Sequence, residues 1–430
     1  MFLKRGNVMT GCVREEAQQF CAKIFDDIRA LSKDGSGVTR QGYGPVETAT
    51  LDYLKAIGRE LALEITEDAA GNVWMRFPGK DRTLPAVVAG SHADSVPQGG
   101  NYDGLAGIVA ALNTARVMRE THFTPARDFV VLMMRCEESS FYGKSYIGSL
   151  AFTGRLTKDE TALLDREKKA TLGEHMASCG IDPEAVTQGK PLVDLSKIAA
   201  FLELHIEQGP TLTSSETVRT GVVTGIRGNL RHKQVKIIGE TAHSGAVDKE
   251  YRHDAVLACA EFLSRLDQAW DEMLAAGHDL VFTVGVLKTA PTAAISVIPG
   301  EVTFTVDMRS LSLETAEAFH AKMLEVAEDV AKKRGVKFEF DKKLTTQPAK
   351  VNEALKNRLV AEAKRMGLPA RELASGAGHD AAVIGAAGIP VAMIFVANQN
   401  GSHNPHEAMQ LEDFMRGAEL LSETVRHFDD

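Results

Sequence analysis

At 430 residues, with 44% apolar residues and a formal net charge of -9, the chain is too long for one comfortable core and is expected to form two domains. The acidic balance argues against nucleic acid and anionic membranes as partners, and no apolar run is long enough to span a bilayer. Five cysteines (Cys12, Cys21, Cys136, Cys179, Cys259), odd in number and without C-x-x-C spacing, argue against a disulfide framework and a thiolate metal site. The opening MFLKRGNVMTGC lacks the apolar centre of a secretory leader, so a cytoplasmic location is expected.

Helical spacing of Phe20, Ile24, Phe25, Ile28 and Leu31 predicts a first helix over Arg14 to Leu31, and Leu51, Leu54, Ile57 and Leu61 a second from about Glu47 to Leu63. Glu64 to Thr66 and Asn72 to Phe77 read as a hairpin turning through DAAG. The apolar run Leu84 to Ala89 reads as a buried strand that breaks at Gly90 and delivers His92 and Asp94 pointing the same way. A glycine-rich loop then brings Asp103, and Leu105, Ile108, Val109 and Leu112 form one stripe of a helix. A strand, a polar loop and a helix in this order put chemistry at the carboxyl edge of a parallel sheet, where open α/β folds bind ligands. A lone H-x-D is more often a solvated loop than a ligand pair, so the later strands carry the argument.

Phe129 to Met134, six consecutive apolar residues, must be a strand buried on both faces, and it ends in RCEESSFYG with the adjacent carboxylates Glu137 and Glu138. Thr157 to Ser196 is polar and reads as surface helices and loop. AAFLELHIEQGP is another buried strand, in which Glu203, His205 and Glu207 alternate with apolar residues. From about Ser215 a new unit is expected: strand Leu230 to Ile238, helix Asp254 to Leu274, strands Leu280 to Leu287 and Val302 to Met308, helix Leu313 to Arg334. The α/β alternation then resumes with a helix over Asn352 to Met366, the loop SGAGHDAAVIGAAG entering a helix, and the strand Val391 to Val396. GSHNPHE, with His403, follows that strand, and Leu411 to His427 closes the chain as a helix. The fold class is therefore α/β, with a mixed, largely parallel sheet covered by helices on both faces and an inserted small α+β domain. The expected boundaries are 1–214 and 335–430 for the catalytic domain and 215–334 for the insertion.

His92, Asp103, Glu138, His205 and His403 make a set of three imidazoles and two carboxylates near sheet edges. Nitrogen and oxygen ligands without thiolate suit zinc, manganese, cobalt or nickel better than magnesium or calcium. Five ligands exceed what one catalytic zinc uses, and a carboxylate bridging two ions makes the count work. Glu137, beside a ligand but not needed as one, is the natural general base for an attacking water.

These motifs resemble the M20-type metal-dependent amidohydrolases, and within them the branch of N-carbamoyl-L-amino-acid hydrolases, β-ureidopropionases and allantoate amidohydrolases. GSHADSV, GGNYDGLAGI, EES, ELHIEQGP, SGAGHDA and SHNPHE occur in the family's order, and the resemblance runs over nearly the whole chain. It implies a zinc-peptidase-like catalytic domain, an inserted domain for dimerisation and lid, and a homodimer. It further implies two divalent ions, with Asp103 bridging, His92 and His205 completing one site, and Glu138 and His403 the other. Asp94 would orient His92, and Glu137 would move the proton from water to the leaving nitrogen. By the same resemblance His243 would reach a neighbouring active site as oxyanion donor, Arg309 would clamp a substrate carboxylate, and His379 and Gln208 would line the substrate.

The chain departs from the family in its substrate shell. Ser296 stands where asparagine is usual, Ser139 and Phe141 replace a glycine and an arginine, and SGAVDK follows His243. The expected function is hydrolysis of a linear amide, most simply the N-carbamoyl or ureido group of a small carboxylate such as an N-carbamoyl-L-amino acid, N-carbamoyl-β-alanine or allantoate. An aminoacylase or dipeptidase of the same superfamily is the alternative. A non-catalytic ligand-binding protein on this fold is more remote, since no metal ligand and no base is missing.

Overall fold

A computed structural model describes residues 11–430, so the N-terminal stretch read for a leader, and Cys12 with it, lie outside the residues whose side chains are described. The remaining cysteines, Cys21, Cys136, Cys179 and Cys259, are free thiols. No helix among the described residues is long and apolar enough to cross a membrane.

The chain divides into two compact units, residues 1–224 with 350–430, and residues 225–349. The boundaries differ from the expected 215 and 334 because strand pairing decides them. Thr220–Ile226 pairs antiparallel with Val391–Val396 in the large sheet, so the chain has not yet left the first unit at Ser215. After the helix Leu313–Arg334, Lys337–Phe340 and Leu344–Thr346 return to pair with Gly228–Ile238 and so belong to the insertion.

The first unit is built on a nine-stranded mixed sheet. Its centre is four parallel strands in the order Val391–Val396, Ile198–Ile206, Ala86–His92, Phe129–Met134, flanked by antiparallel strands that include the Glu64–Glu67 and Val73–Phe77 hairpin. Parallel pairing puts the carboxyl ends of those four strands at one edge, with His92 opposite Met134 and His205 opposite Phe395. The two-residue period then divides the side chains. Leu202, Leu204, Ile394 and Val131 join one core with the helices Gly11–Ser32, Pro45–Glu60, Leu105–Glu120, Glu353–Met366 and Leu411–Arg426. Phe201, Glu203 and His205 face the other way, where the Ala381 N–H at the head of the helix Asp380–Ala386 donates to Glu203.

Two expectations change here. The strand runs through Gly90 to His92 instead of breaking, because Gly90 carries no side chain: a Cβ there would sit 1.8 Å from the Leu132 carbonyl oxygen of the adjoining strand. The stretch 157–196 is not only surface, since Leu172, Met176 and Val186 pack with Tyr43, Ile147 and Leu156 in a core of their own.

The second unit is a six-stranded sheet with antiparallel pairing and two helices, Ala255–Ala275 and Leu313–Arg334. Asp254 caps the first helix through the Val256 and Leu257 N–H groups, and Gly335 ends the second in the left-handed conformation. Phe262, Phe304, Phe319 and Met323 centre its core. On the strand Glu301–Ser310 alternate residues are buried, which leaves Asp307 and Arg309 on the opposite face from Val306 and Met308. The expected single strand from Leu280 to Leu287 is two short ones, Val281–Thr283 and Leu287–Thr289.

Candidate metal centre

His92 ends its strand, and Asp103 comes back beside it after the loop, just before the helix Leu105–Glu120. The approach is close enough that a Cβ at Gly104, whose φ is +67, would lie 2.4 Å from His92 Nε2. Asp103 Oδ1 lies 3.5 Å from His92 Nε2 and 3.1 Å from His205 Nε2. Its other oxygen, Oδ2, lies 3.5 Å from His403 Nε2, which is 3.3 Å from Glu138 Oε1. One carboxylate thus faces two candidate ligand sets, His92 with His205 on one side and Glu138 with His403 on the other.

The hydrogen bonds of the rings test whether this set fits a cation. His92 Nδ1 faces the Asp94 carbonyl at 3.2 Å, and His205 Nδ1 faces the Ile206 carbonyl at 2.9 Å. A carbonyl can only accept, so both Nδ1 atoms carry the proton and a neutral ring presents a bare Nε2. Each Nε2 then points at the anionic Asp103 oxygen, an arrangement that a cation on the line between them, a proton or a metal ion, makes favourable. The electrostatics agree. Burial opposes charge on His92, yet Glu137, Asp103 and Asp94 hold its affinity for a proton well above the usual imidazole range. Asp103, despite its burial, is held well below the carboxylate range by His205 and His92. The donor set of nitrogen and carboxylate oxygen, with the rings already oriented, suits divalent transition ions.

Glu137 and Glu138 follow the strand Phe129–Met134 through a sharp turn at Cys136, whose φ is +52. The buried Glu47 carboxylate stabilises that turn, accepting from the Cys136 N–H at 2.9 Å and from Arg135 Nε at 2.6 Å. The Asp94 carboxylate accepts from the backbone N–H groups of Glu137 (2.9 Å) and Glu138 (3.0 Å). Asp94 therefore positions the two glutamates with its side chain and touches His92 most closely with its backbone oxygen, a division of labour that the resemblance did not suggest. Burial pushes the Glu137 carboxyl well up, with His92 pulling the other way and Glu138 and Asp380 adding to the rise. That is the direction a general base working near neutral pH needs.

Gln208, at φ +62, donates from Nε2 to Asp103 Oδ2 at 2.7 Å, so it sits at the centre and not merely in its lining. His379 is buried with its ring centroid 4.4 Å from that of His205. Its Nε2 lies 2.9 Å from Ser375 Oγ, whose single proton goes to the Ala377 carbonyl at 2.7 Å. Nε2 must therefore carry a hydrogen, which leaves Nδ1 of the neutral ring as an acceptor. Burial, and His205 after it, hold His379 well below the usual range and so neutral.

The other expected site residues lie in the second unit. His243 and Ser296 come together there on a two-stranded ribbon, with His243 opposite Val297 and the Ser244 N–H donating to the Ser296 carbonyl at 2.9 Å. The Gly245 N–H donates to His243 Nδ1 at 3.1 Å, so this ring, in the same tautomer as His379, offers an Nε2–H donor. Arg309 donates to Asp307 Oδ2 from Nη2 at 2.8 Å, and Arg231 approaches the same oxygen at 3.2 Å.

Sequence reasoning missed four supporting residues. Glu407 accepts from the Tyr102 and Asp103 N–H groups at 2.8 and 3.3 Å, and Ser402 Oγ stands 2.5 Å from Asp103 Oδ2 and 2.6 Å from Glu407 Oε2. One hydroxyl proton cannot serve two carboxylates, and burial together with Asp103 pushes Glu407 up to about 7. Glu203 accepts from Ser91 Oγ at 2.7 Å, and Arg40 is wholly buried with Nε donating to the Ala93 carbonyl at 2.8 Å. A charge inside a buried strand was the available signal for Glu203, and an acid four residues after His403 for Glu407.

A mixed α/β sheet with imidazoles and carboxylates at the carboxyl edge of its parallel strands, interrupted by an antiparallel unit, is the architecture of a metal-site hydrolase. The chain belongs to Peptidase family M20/M25/M40, which it matches over residues 88–427. It is 34% identical to an N-carbamoyl-L-amino-acid amidohydrolase of Paenarthrobacter aurescens, over 95% of this chain and 98% of that one. It is 33% identical to an allantoate amidohydrolase of Bacillus subtilis, over the same shares of each. A crystal structure of an amidase of the hydantoinase/carbamoylase family from Burkholderia multivorans superposes with a TM-score of 0.86 at 27% identity, covering 95% of this chain and 97% of that one.

Proposed function

We propose that this chain is a metal-dependent amidohydrolase that uses two divalent ions to cleave a linear, non-peptide C–N bond, that of an N-carbamoyl or ureido group on a small carboxylate. The observation that carries the reading is the division of Asp103, one oxygen toward His92 and His205 and the other toward His403 beside Glu138. His92, His205 and Asp103 would hold one ion, and Asp103, Glu138 and His403 the other, with zinc, manganese, cobalt or nickel as candidates. Bound divalent ions supply Lewis acidity that polarises the carbonyl and eases deprotonation of water.

The protein's own groups do the rest. Glu137, its carboxyl raised by burial, takes the proton of the attacking water and hands it to the leaving nitrogen. His243 offers its Nε2–H to the oxygen on which charge develops. Arg309 receives the substrate carboxylate in its planar fork, turning from Asp307, an acceptor of the same kind. Gln208, Ser296 and His379 contribute to the substrate lining, His379 as acceptor for a substrate N–H. A homodimer through the inserted unit is supported by its edge, where Val286 and Leu287 expose apolar side chains beside a strand of three residues. The free thiols fit a cytoplasmic protein, and the net charge of -9 is what disfavours nucleic acid and anionic membranes as partners.

The test is ammonia or amine release by metal-loaded protein from N-carbamoyl amino acids, N-carbamoyl-β-alanine and allantoate, against N-acyl amino acids and dipeptides. Turnover confined to the last two classes replaces this reading with an aminoacylase or dipeptidase.

A further inference from the structure

The segment after Glu138 contains a tyrosine that the mechanism above leaves unused. Tyr146 holds φ 68 and ψ 30, a left-handed backbone that residues with a Cβ rarely adopt. Its N–H donates to the Glu137 carbonyl at 2.8 Å, and Ile147 and Gly148 continue the ladder to the Cys136 and Arg135 carbonyls at 2.9 and 3.0 Å. The strained residue is thus tied to the backbone of the proposed base. Three residues on, Ser149 Oγ donates to Asp380 Oδ1 at 2.5 Å, which fastens the same short helix to the residue after His379.

The phenol points at that loop. A Cβ at Gly378, the residue before His379, would fall 1.8 Å from Tyr146 Oη, so the hydroxyl occupies the space this glycine leaves. Apart from burial itself, the groups that bear most on the phenol are Glu137, Asp380, Glu138 and Glu203, all of which push its ionisation up, so it remains an O–H donor.

The contrast with the other tyrosines is informative. Tyr43 and Tyr142 donate their hydroxyls to the Ala70 and Gly42 carbonyls, Tyr53 donates to Asp27, Tyr102 accepts from Arg29, and Tyr251 is exposed. Among the described residues none takes the proton of Tyr146 or of Tyr102, and of these two only Tyr146 is tied to the backbone of Glu137. Tyr146 is half-buried and the backbone that holds it is tied to Glu137, so its O–H is open to an acceptor that reaches it from the solvent side.

We propose that Tyr146 is a catalytic hydrogen-bond donor to the carbonyl oxygen of the scissile C–N group. The assignment rests on the hydrolytic reading above and adds to it a donor carried by the metal-bearing unit itself. It also gives a use to the segment that begins with the departures from the family pattern at Ser139 and Phe141.

Tyr146→Phe removes one oxygen and keeps the ring. Metal content and melting temperature should match wild type, while kcat on the best N-carbamoyl or ureido acid falls at least tenfold and KM moves less than threefold. Acetohydroxamate, a metal-directed ligand bearing a carbonyl oxygen, needs no turnover to bind, and its dissociation constant measured by calorimetry should rise at least fivefold in the variant. Loss of acetohydroxamate affinity in a protein that hydrolyses none of the ureido acids would sink the substrate class and keep Tyr146. A variant whose kcat and acetohydroxamate affinity both stay within twofold of wild type overturns the assignment.

Discussion

The two units place most of their working side chains in opposite ways, with His403, at 54% side-chain exposure, the exception in the first. At the sheet edge of the first, Asp94, Asp103, Glu137, Glu138 and His205 are buried, and Asp94, Asp103 and His205 are held by further hydrogen bonds from the protein. On the second, Arg231 and Arg309 retain 42% and 33% side-chain exposure and converge on one carboxylate oxygen of Asp307, while His243 sits exposed on a two-residue ribbon. Buried charges cost several kcal/mol each unless paired, so a centre made of them must be over-determined and tolerates little change. Exposed groups on a ribbon and a sheet face cost little to alter. Of the departures from the family, Ser296 and SGAVDK lie on that side, whereas Ser139 and Phe141 follow Glu138 in the first unit, and the metal set itself is intact.

The sharpest way to break this contrast is Glu137→Gln. The amide cannot accept a proton, so turnover should fall by about 10²- to 10⁴-fold. The metals should stay, because Glu137 is not counted among the ligands. Metal analysis together with steady-state rates checks both halves, and a variant with more than a tenth of wild-type rate would contradict the role.

Chelation should separate the units next. Stripping the ions leaves lone pairs and carboxylates facing one another in the first unit only. A ligand at about a hundred times its dissociation constant stabilises by roughly 2.7 kcal/mol, and that much protection should disappear there. Hydrogen exchange should quicken in Ala86–His92 and Ile198–Ile206 and stay unchanged in Gly228–Ile238. Equal loosening of both units would show that the ions do not bind where proposed.

Substitutions on the exposed side should act on recognition instead. Arg309→Lys keeps the charge but loses the fork, and a loss of about tenfold in kcat/KM, carried mainly by KM, is expected. Ser296→Asn, on the ribbon with His243, should shift preference toward ordinary N-carbamoyl amino acids by about 1 to 2 kcal/mol if one hydrogen bond is gained. The ratio of kcat/KM for an N-carbamoyl amino acid against the best substrate measures both, and no change in either variant would place carboxylate recognition elsewhere.

The smallest effect concerns pH. In the second unit His232 Nδ1 faces the Asp341 backbone and carboxylate oxygens at 3.1 and 3.0 Å, and its Nε2 lies 3.0 Å from His320 Nε2. Both acceptors at Nδ1 require a proton there, so His320 Nε2–H donates to His232 Nε2 across the pair. Burial first, then His232 and Lys343, lower the His320 pKa, with Glu317 opposing. A lowered folded value means that the unfolded chain takes up its proton first, near the usual 6.5 or so. The contribution is present above that pH and is lost as pH falls toward the folded value. Hydrogen exchange of the helix Leu313–Arg334 at pH 7.5 and 5.5 should show this in wild type and not in His320→Gln.

Much of this was legible in the sequence because burial on both faces leaves a plain mark. The runs Phe129–Met134 and Val391–Val396 are strands over the residues their apolar character marks out, and His92, Glu138, His205 and His403 could be placed at strand ends from that pattern. Local chemistry also marked the helix capped at Asp254 and the hairpin at Glu64. Other features needed neighbours that are distant in the chain. Gly90 looked like a break until the Leu132 carbonyl stood against it, and Ser215 looked like a boundary until Thr220–Ile226 paired with a strand some 170 residues later. Glu407 on the Asp103 backbone, Asp94 beneath Glu137 and Tyr146 against Gly378 are contacts of the same kind. Residue type and periodicity determine which groups must be buried and which strand ends bear ligands. Only the tertiary structure decides which lone pair faces which proton, since a hydrogen bond depends on the position of a partner that local sequence does not specify.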